Sequence, residues 1–271
     1  MAWKAHRSMR NKRKKLVALG YHSIWHPSNH VKLHGELYAH ISLPTVFFEE
    51  HIRYLQEHGY TFLQFRDLVH MLSAGQSMPD NAVLIYFDDG YKDVLLNAYP
   101  LLKRCGVSAS IFLTTDFIDK KSLPPWAGGY KPADLDIFLS WDEVRQMRDV
   151  FEVGSHGVTH RKFTKILPAE VSWELAVSRD IIEKHAEVHL LAVSYPHSAY
   201  DEDVQEAVKK AGYTFSVGNG RGYNFGPEYA FLKKIPIAPY DNVKRLSRKL
   251  KYFPIQERAR IWSARLKKLF L

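Results

Sequence analysis

Apolar and polar positions along the chain fall into short, nearly continuous apolar runs that alternate with segments of helical period. Residues 16–21 read as a first strand. After a polar loop, Pro44 and Thr45 open a helix that sets Phe48, Ile52 and Leu55 on one face and closes at Gly59. Asn81–Phe87 is almost wholly apolar, the pattern of a strand covered on both faces, and Asp88, Asp89 and Gly90 stand at its carboxyl end. A helix through Val94, Leu95, Tyr99 and Leu102 follows, then a strand over residues 107–113.

Residues 116–139 carry Pro124, Pro125, Trp126, Gly128, Gly129 and Tyr130, which break any period and predict a long loop at the lip of a site. Ser140 and Glu143 have the spacing of a capping box, so a helix is expected from Trp141. Residues 151–155 read as a strand ending at His156, residues 168–185 as a helix, and residues 190–195 as a strand. A helix begins near Asp201, and residues 213–217 form a further strand. Strand alternating with helix, without repeats or a low-complexity linker, is the pattern of an α/β fold with a parallel sheet. Both polar clusters fall at strand carboxyl ends, where barrels of this class assemble active sites.

Length and composition are compatible with one large barrel. The 271 residues, 46% hydrophobic and 13% aromatic, suffice for a sizeable core. Cys105 is the only cysteine, which excludes an intrachain disulfide and a zinc–thiolate cluster. The net charge of +9 is confined to the ends: residues 1–15 hold seven bases and no acid, and residues 243–271 hold ten bases against Glu257 alone. Residues 16–242 are left with −7, so the expected organisation is a basic N-terminal arm (1–15), an acidic barrel (16–242) and a basic tail (243–271). An acidic body argues against a nucleic-acid partner, whose footprint would lie on the folded unit. No signal-peptide pattern or long apolar span is visible, so the expected location is the cytoplasm.

The first cluster has a definite chemical reading. Neighbours on a strand point to opposite faces, so Asp88 and Asp89 serve one site only where the strand gives way to a turn, which Gly90 permits. Two adjacent carboxylates ionise together when a cation neutralises one of them. Asp-Asp-Gly on its own is also an ordinary helix-capping turn. The second cluster, His156-Gly157-Val158-Thr159-His160, brings two imidazoles to one point if the chain turns helically after the strand. Two histidines and one carboxylate hold a divalent metal with open positions for water and substrate.

These motifs resemble those of polysaccharide deacetylases of the NodB-homology type, carbohydrate esterase family four. Tyr86-Phe87-Asp88-Asp89-Gly90 is similar to the family's T-F-D-D-G motif, and His156-Gly157-Val158-Thr159-His160 to H-[ST]-x-x-H, with Gly157 in the Ser/Thr place. Tyr21-His22, Gly59-Tyr60 and Ser194-Tyr195-Pro196 extend the likeness over roughly residues 16–240. It implies a single distorted, TIM-like (β/α) barrel of about seven strands. It also implies Asp89, His156 and His160 as metal ligands, Asp88 as catalytic base, and contacts to the sugar from Tyr195 and Pro196. The implied reaction removes an N-acetyl group from an amino sugar in a polysaccharide, oligosaccharide or lipid-linked precursor. A divalent ion, zinc first and otherwise cobalt, nickel, iron or manganese, acidifies a water whose proton passes to Asp88. The oxyanion is met by the metal and by a main-chain N–H near His197.

The chain departs from the family pattern in two places. Ser194, His197 and Ser198 occupy the neighbourhood where the family carries an arginine and an aromatic-Gly pair, which leaves the orientation of Asp88 without its usual partner. No histidine follows His197, so the family's late Leu-x-His acid is missing. His197 and His22 are the candidate replacements, with Asp88 returning its own proton as the third option. Trp126 and Tyr130 suit either stacking on a sugar or pinning the loop. An amide hydrolase acting on a non-sugar substrate and a non-catalytic carbohydrate-binding relic remain open alternatives. In the tail, Ala259, Trp262, Leu266 and Leu269 share a helical face with bases elsewhere, a pattern shared by interfacial membrane helices and by terminal helices packed on a barrel. With the basic arm, it suits peripheral contact with an anionic inner membrane face.

Overall fold

The computed structural model describes residues 15–28, 40–120, 136–220, 224 and 230–252. In chain order its main elements are strands β1 (Lys15–Tyr21), β2 (Ser23–Trp25) and β3 (Ser42–Pro44), helix α1 (Thr45–Glu57), β4 (Thr61–Phe62), α2 (Phe65–Ser73) and β5 (Asn81–Phe87). A π-helical turn (Val94–Ala98) runs into α3 (Tyr99–Cys105), followed by β6 (Ala109–Leu113), α4 (Trp141–Gln146) and β7 (Phe151–Ser155). Then come α5 (Pro168–Ala186), β8 (Ala192–Ser194), α6 (Glu202–Lys210), β9 (Phe215–Asn219) and β10 (Phe231–Pro236). Seven parallel strands close a ring in the order β1-β10-β9-β8-β7-β6-β5, and β5 returns to β1 through the register Lys15↔Asn81 to Tyr21↔Phe87. The expected α/β barrel of about seven strands is therefore present. β4 pairs only with Ala82 and Val83 at the start of β5, while β6 pairs with Tyr86 and Phe87 at its end, so the two share one edge of β5.

Strand alternation builds two separate cores. Leu16 and Ala18 of β1, Ala82, Leu84 and Tyr86 of β5, Phe112, Ala192, Phe215, Val217 and Leu232 fill the barrel. The intervening residues Val17, Leu19, Val83, Ile85 and Phe87 face outward and pack with Phe48, Ile52, Leu102, Leu175 and Ile182 of the surrounding helices. The amino end of the barrel is plugged by α2: Phe65 meets Phe112 and Phe215 at centroid distances of 5.8 and 5.4 Å. Glu152 on β7 fixes that plug by accepting the N–H groups of Phe65 and Arg66. Gly20 and Gly154 leave room in the inner wall, since a Cβ at either would stand 2.4 Å from the ring or hydroxyl of Tyr86 or the ring of Phe112.

Local signals hold where side chains make the bond. Ser140 Oγ accepts from Glu143 N–H at 3.3 Å while Glu143 accepts from Ser140 N–H at 2.8 Å, and Asp201 caps α6 through Val204 N–H at 3.0 Å. The strand expected over residues 107–113 starts later, at Ala109, where pairing with β7 begins, and that over residues 190–195 shrinks to Ala192–Ser194, the residues that pair with β9. Helix α2 and strand β10 were not expected from the pattern at all. Residues 243–252 are helical and seat Leu246 and Leu250 in the outer core, while Lys249 bonds the buried carboxylate of Asp241. The amphipathic stretch from Ile255, the basic arm up to residue 14, and Trp126 and Tyr130 lie outside the described residues. Among the described residues no helix is long and apolar enough to cross a membrane.

Candidate metal centre and active site

The inward phase of β1, β5 and β7 continues past their carboxyl ends and, with Lys234 inside β10, delivers the polar side chains of one site. On β5 the inward residues Ala82, Leu84 and Tyr86 are followed by Asp88, which is 1% exposed. By alternation Asp89 would face away, but its backbone turns into the left-handed region at φ 76°, followed by Gly90 at φ 85°, and brings its carboxylate to the same mouth. Aspartate is among the few non-glycine residues that tolerate that conformation. The turn expected at Gly90 thus begins one residue earlier, on Asp89 itself.

His156 continues the inward phase of β7. Its Nδ1–H donates to the Ser194 carbonyl at 2.8 Å, an acceptor that fixes the tautomer and leaves Nε2 with a bare lone pair. That lone pair lies 3.4 Å from Asp89 Oδ1, and His160 Nε2 lies 3.2 Å from the same oxygen. The two imidazoles do not converge through the expected helical turn. The chain instead bends at Gly157 (φ 79°) and His160 (φ 62°). Glu174 of α5, fully buried, holds this bend by accepting the N–H groups of Val158 at 2.6 Å and Thr159 at 3.0 Å and the hydroxyl of Thr159.

The donor set fits a divalent cation. Asp89, His156 and His160 each offer a ligand atom, all within 4.8 Å of one another. Burial pushes His156 down to about 4, so it is neutral near pH 7, and a neutral lone pair facing a carboxylate oxygen is repulsive until a positive charge stands between them. Asp89, although buried, is held below the ordinary carboxylate range by His160, His22 and His156. For His160 burial acts downward, but the Asp89 carboxylate wins and raises it.

Asp88 sits beside this set with a different neighbour. Its Oδ2 accepts from Lys234 Nζ at 3.4 Å, with His22 Nε2 at 4.0 Å, and among the described residues its Oδ1 has no hydrogen-bond partner. Burial alone would push Asp88 up. Lys234, then His156 and His22, outweigh burial and hold it below its ordinary value. Lys234, 7% exposed, was not foreseen; it is the inward residue after Leu232 on β10, so Leu232-Lys233-Lys234 stands as Leu-x-Lys where a Leu-x-His was sought. It also supplies the cation that the missing arginine left wanting.

The remaining expected residues divide. His22 lines the cavity, and His197, at φ 54°, sets its ring 4.6 Å from that of His160 at a tilt of 51°; burial, with His160 and Lys162, shifts it below its ordinary value. Tyr195 borders the cavity but its ring packs in the outer core on Tyr200 at 5.2 Å. Pro196 is buried in the turn behind it and is not part of the wall. The cavity, about 830 Å³, is large enough for one or more sugar rings.

Comparison with known proteins agrees with this geometry. The profile of the family described as polysaccharide deacetylase matches residues 75–216. The chain is 28% identical over 204 residues to "Putative polysaccharide deacetylase YxkH" of Bacillus subtilis (strain 168), covering 75% of this chain and 64% of that one. It is 26% identical over 182 residues to the poly-beta-1,6-N-acetyl-D-glucosamine N-deacetylase of Staphylococcus aureus (strain MSSA476), covering 63% and 59%. It therefore spans a little under two thirds of the length of these relatives. The Streptococcus pyogenes deacetylase PplD, solved with acetate, superposes with a TM-score of 0.71 at 20% identity over 88% of this chain and 99% of that one. A de-N-acetylase from Aggregatibacter actinomycetemcomitans gives 0.73 at 17% identity over 88% and 100%. Matched over its central half by the family profile, and carrying the family's aspartates and histidines at the mouth of its barrel, the chain belongs to the polysaccharide deacetylase family.

Proposed function

We propose that the protein is a metal-dependent de-N-acetylase that hydrolyses the acetamide of an amino sugar in a polysaccharide, oligosaccharide or lipid-linked precursor. The observation that carries this reading is the division of labour between adjacent carboxylates: Asp89 joins His156 and His160 in a set within 4.8 Å, while Asp88 is kept apart and ionised by Lys234. Asp89, His156 and His160 would hold the ion, with zinc the first expectation and cobalt, nickel, iron or manganese compatible with the same donors. When bound it supplies Lewis acidity toward the amide carbonyl and acidifies water.

The chain's own residues do the rest. Asp88 Oδ2 is tied to Lys234, so Oδ1 is the oxygen that accepts the proton of the attacking water. In the turn at Pro196–Ser198 the N–H groups of Ser198 and Ala199 are bonded to the carbonyls of Tyr195 and Pro196, which leaves the His197 N–H as the donor for the developing oxyanion. Asp88 then returns its proton to the nitrogen as the C–N bond breaks, releasing acetate and a free amine. His22, 4.0 Å from Asp88 Oδ2, is placed to share that transfer.

Acetate release from a panel of N-acetylated sugars, after loading with each candidate metal, tests the reading. Asp88→Asn is expected to abolish turnover while keeping metal binding, and His156→Ala to abolish both. Full activity in Asp88→Asn overturns the assignment of the base.

A further inference from the structure

One wall of the cavity carries charge for which hydrolysis has no use. Among the described residues the acids lining the cavity are Asp88 and Asp89. Of its cations, Lys234 is matched to Asp88, and Arg161 to Glu170 at 2.8 Å and Glu174 at 3.5 Å. Lys162 and Lys165 also line the cavity, are exposed, and have no ion-pair partner among the described residues.

These two lysines are held as a pair. Phe163–Lys165 is a single turn of 3-10 helix closed by the Lys165 N–H on the carbonyl of Lys162, the extended residue before it, at 2.9 Å, so the two lysines stand at the two ends of one tight turn. Phe163, 1% exposed, anchors the turn in the core, so the pair does not drift from the wall. Like charges at this spacing repel, and an unpaired pair beside an open cavity is relieved by an anion between them. Lys162 follows His160 by two residues and both lysines line the cavity that Asp88, Asp89 and His160 share, which sets the pair within a sugar unit or two of the centre where the acetamide would react.

We infer that the cavity takes an N-acetyl amino sugar carrying an anionic group, a phosphate or a uronate carboxylate, on the sugar itself or on the adjoining unit, with Lys162 and Lys165 holding that group. This rests on the de-N-acetylase reading and narrows its substrate. A neutral homopolymer of N-acetylglucosamine gives the pair nothing to hold.

The test has a turnover arm and a binding arm. Acetate release by the metal-loaded protein is compared for three ligands: a neutral N-acetylglucosamine oligomer, N-acetylglucosamine 1-phosphate, and a disaccharide of N-acetylglucosamine with glucuronate. Calorimetric binding of the same ligands to the Asp88→Asn protein is measured at low and high salt. The expected result is a kcat/KM preference for one or both anionic ligands of at least about tenfold, carried by KM and weakened by salt. In Lys162→Ala/Lys165→Ala, and in Lys162→Glu should the double variant not fold, that preference collapses. Whether phosphate or carboxylate is preferred identifies the source of the anion. Equal or better use of the neutral oligomer, or a preference that survives loss of both lysines, overturns the inference. If no ligand releases acetate, the function reading fails, and the binding arm alone decides whether the anion site stands.

Discussion

Lys234 offers the sharpest test of how the site keeps its base ionised. Coulomb's law puts unit charges at the observed 3.4 Å at about 5 kcal/mol for an effective dielectric near 20. Relaxation and water entry on removing the side chain return part of this, so roughly 2–3 kcal/mol is the expected loss for Lys234→Met, a drop in kcat/KM of about 30- to 150-fold on the acidic limb of the pH–rate profile, where Asp88 takes up its proton. The sign follows from the opposing influences on Asp88: burial pushes its carboxyl up and Lys234 is the foremost group holding it down. Without Lys234 the acidic limb of the pH–rate profile moves to higher pH, and activity recovers as the pH rises toward neutral. Lys234→Arg, which keeps the charge, should restore the limb. A lone buried carboxylate also costs about 3–5 kcal/mol of stability, so Lys234→Met melts early, and adding Asp88→Asn restores the melting temperature but not the activity. A Lys234→Met protein with the wild-type profile and melting temperature would refute the reasoning.

Three further outcomes follow from the geometry. Glu174→Gln removes the carboxylate that gathers the Val158 and Thr159 N–H groups, and metal affinity, read by titrating metal into the stripped protein, should fall about 10–100-fold. Gly157→Ser places a side chain on a backbone at φ 79° with Cβ 3.0 Å from Glu174 Oε2; urea denaturation should register a loss of about 1–2 kcal/mol. His51, buried beneath β1 beside Tyr21, is pushed down to about 4 by burial, the neighbouring Asp241 opposing. The unfolded chain therefore binds the proton first, and stability that is complete above about pH 6.5 is lost as the pH falls toward 4, by about 3 kcal/mol in all. His51→Gln should flatten that acid loss in melting curves, and an unchanged slope would contradict it.

What could be read from the residues was what repeats along the chain or bonds locally. Asn81–Phe87 declared itself by an unbroken apolar run, and the Ser140–Glu143 box by spacing alone. The candidate metal set was legible because Asp89 and His156 sit just past strand ends and His160 follows His156 at a short spacing. Lys234 was not, because a charged residue between Leu232 and Ile235 reads as an interruption of a strand until the inward phase of the closed barrel is known. Helix α2 escaped for a similar reason: Phe65, Leu68 and Met78 make sense only as a plug for a barrel whose other walls come from distant segments. The left-handed turns at Asp89 and His160 carry no glycine to announce them.

The closure of the ring also sets an order of events during synthesis. Ala18 of β1 pairs with Lys234 of β10, while Leu16 of the same strand pairs with Ala82 of β5. The barrel's first strand therefore finds its second neighbour only when nearly the whole barrel has been translated, and such distant pairings are slow to form. Until then β1 and β9 each keep an open edge, and Asp88 has no lysine beside it. A nascent or truncated chain ending before residue 230 would hold the metal-ligand motifs complete yet leave the base unmatched, so hydrolytic competence should arrive in one late step rather than grow with chain length.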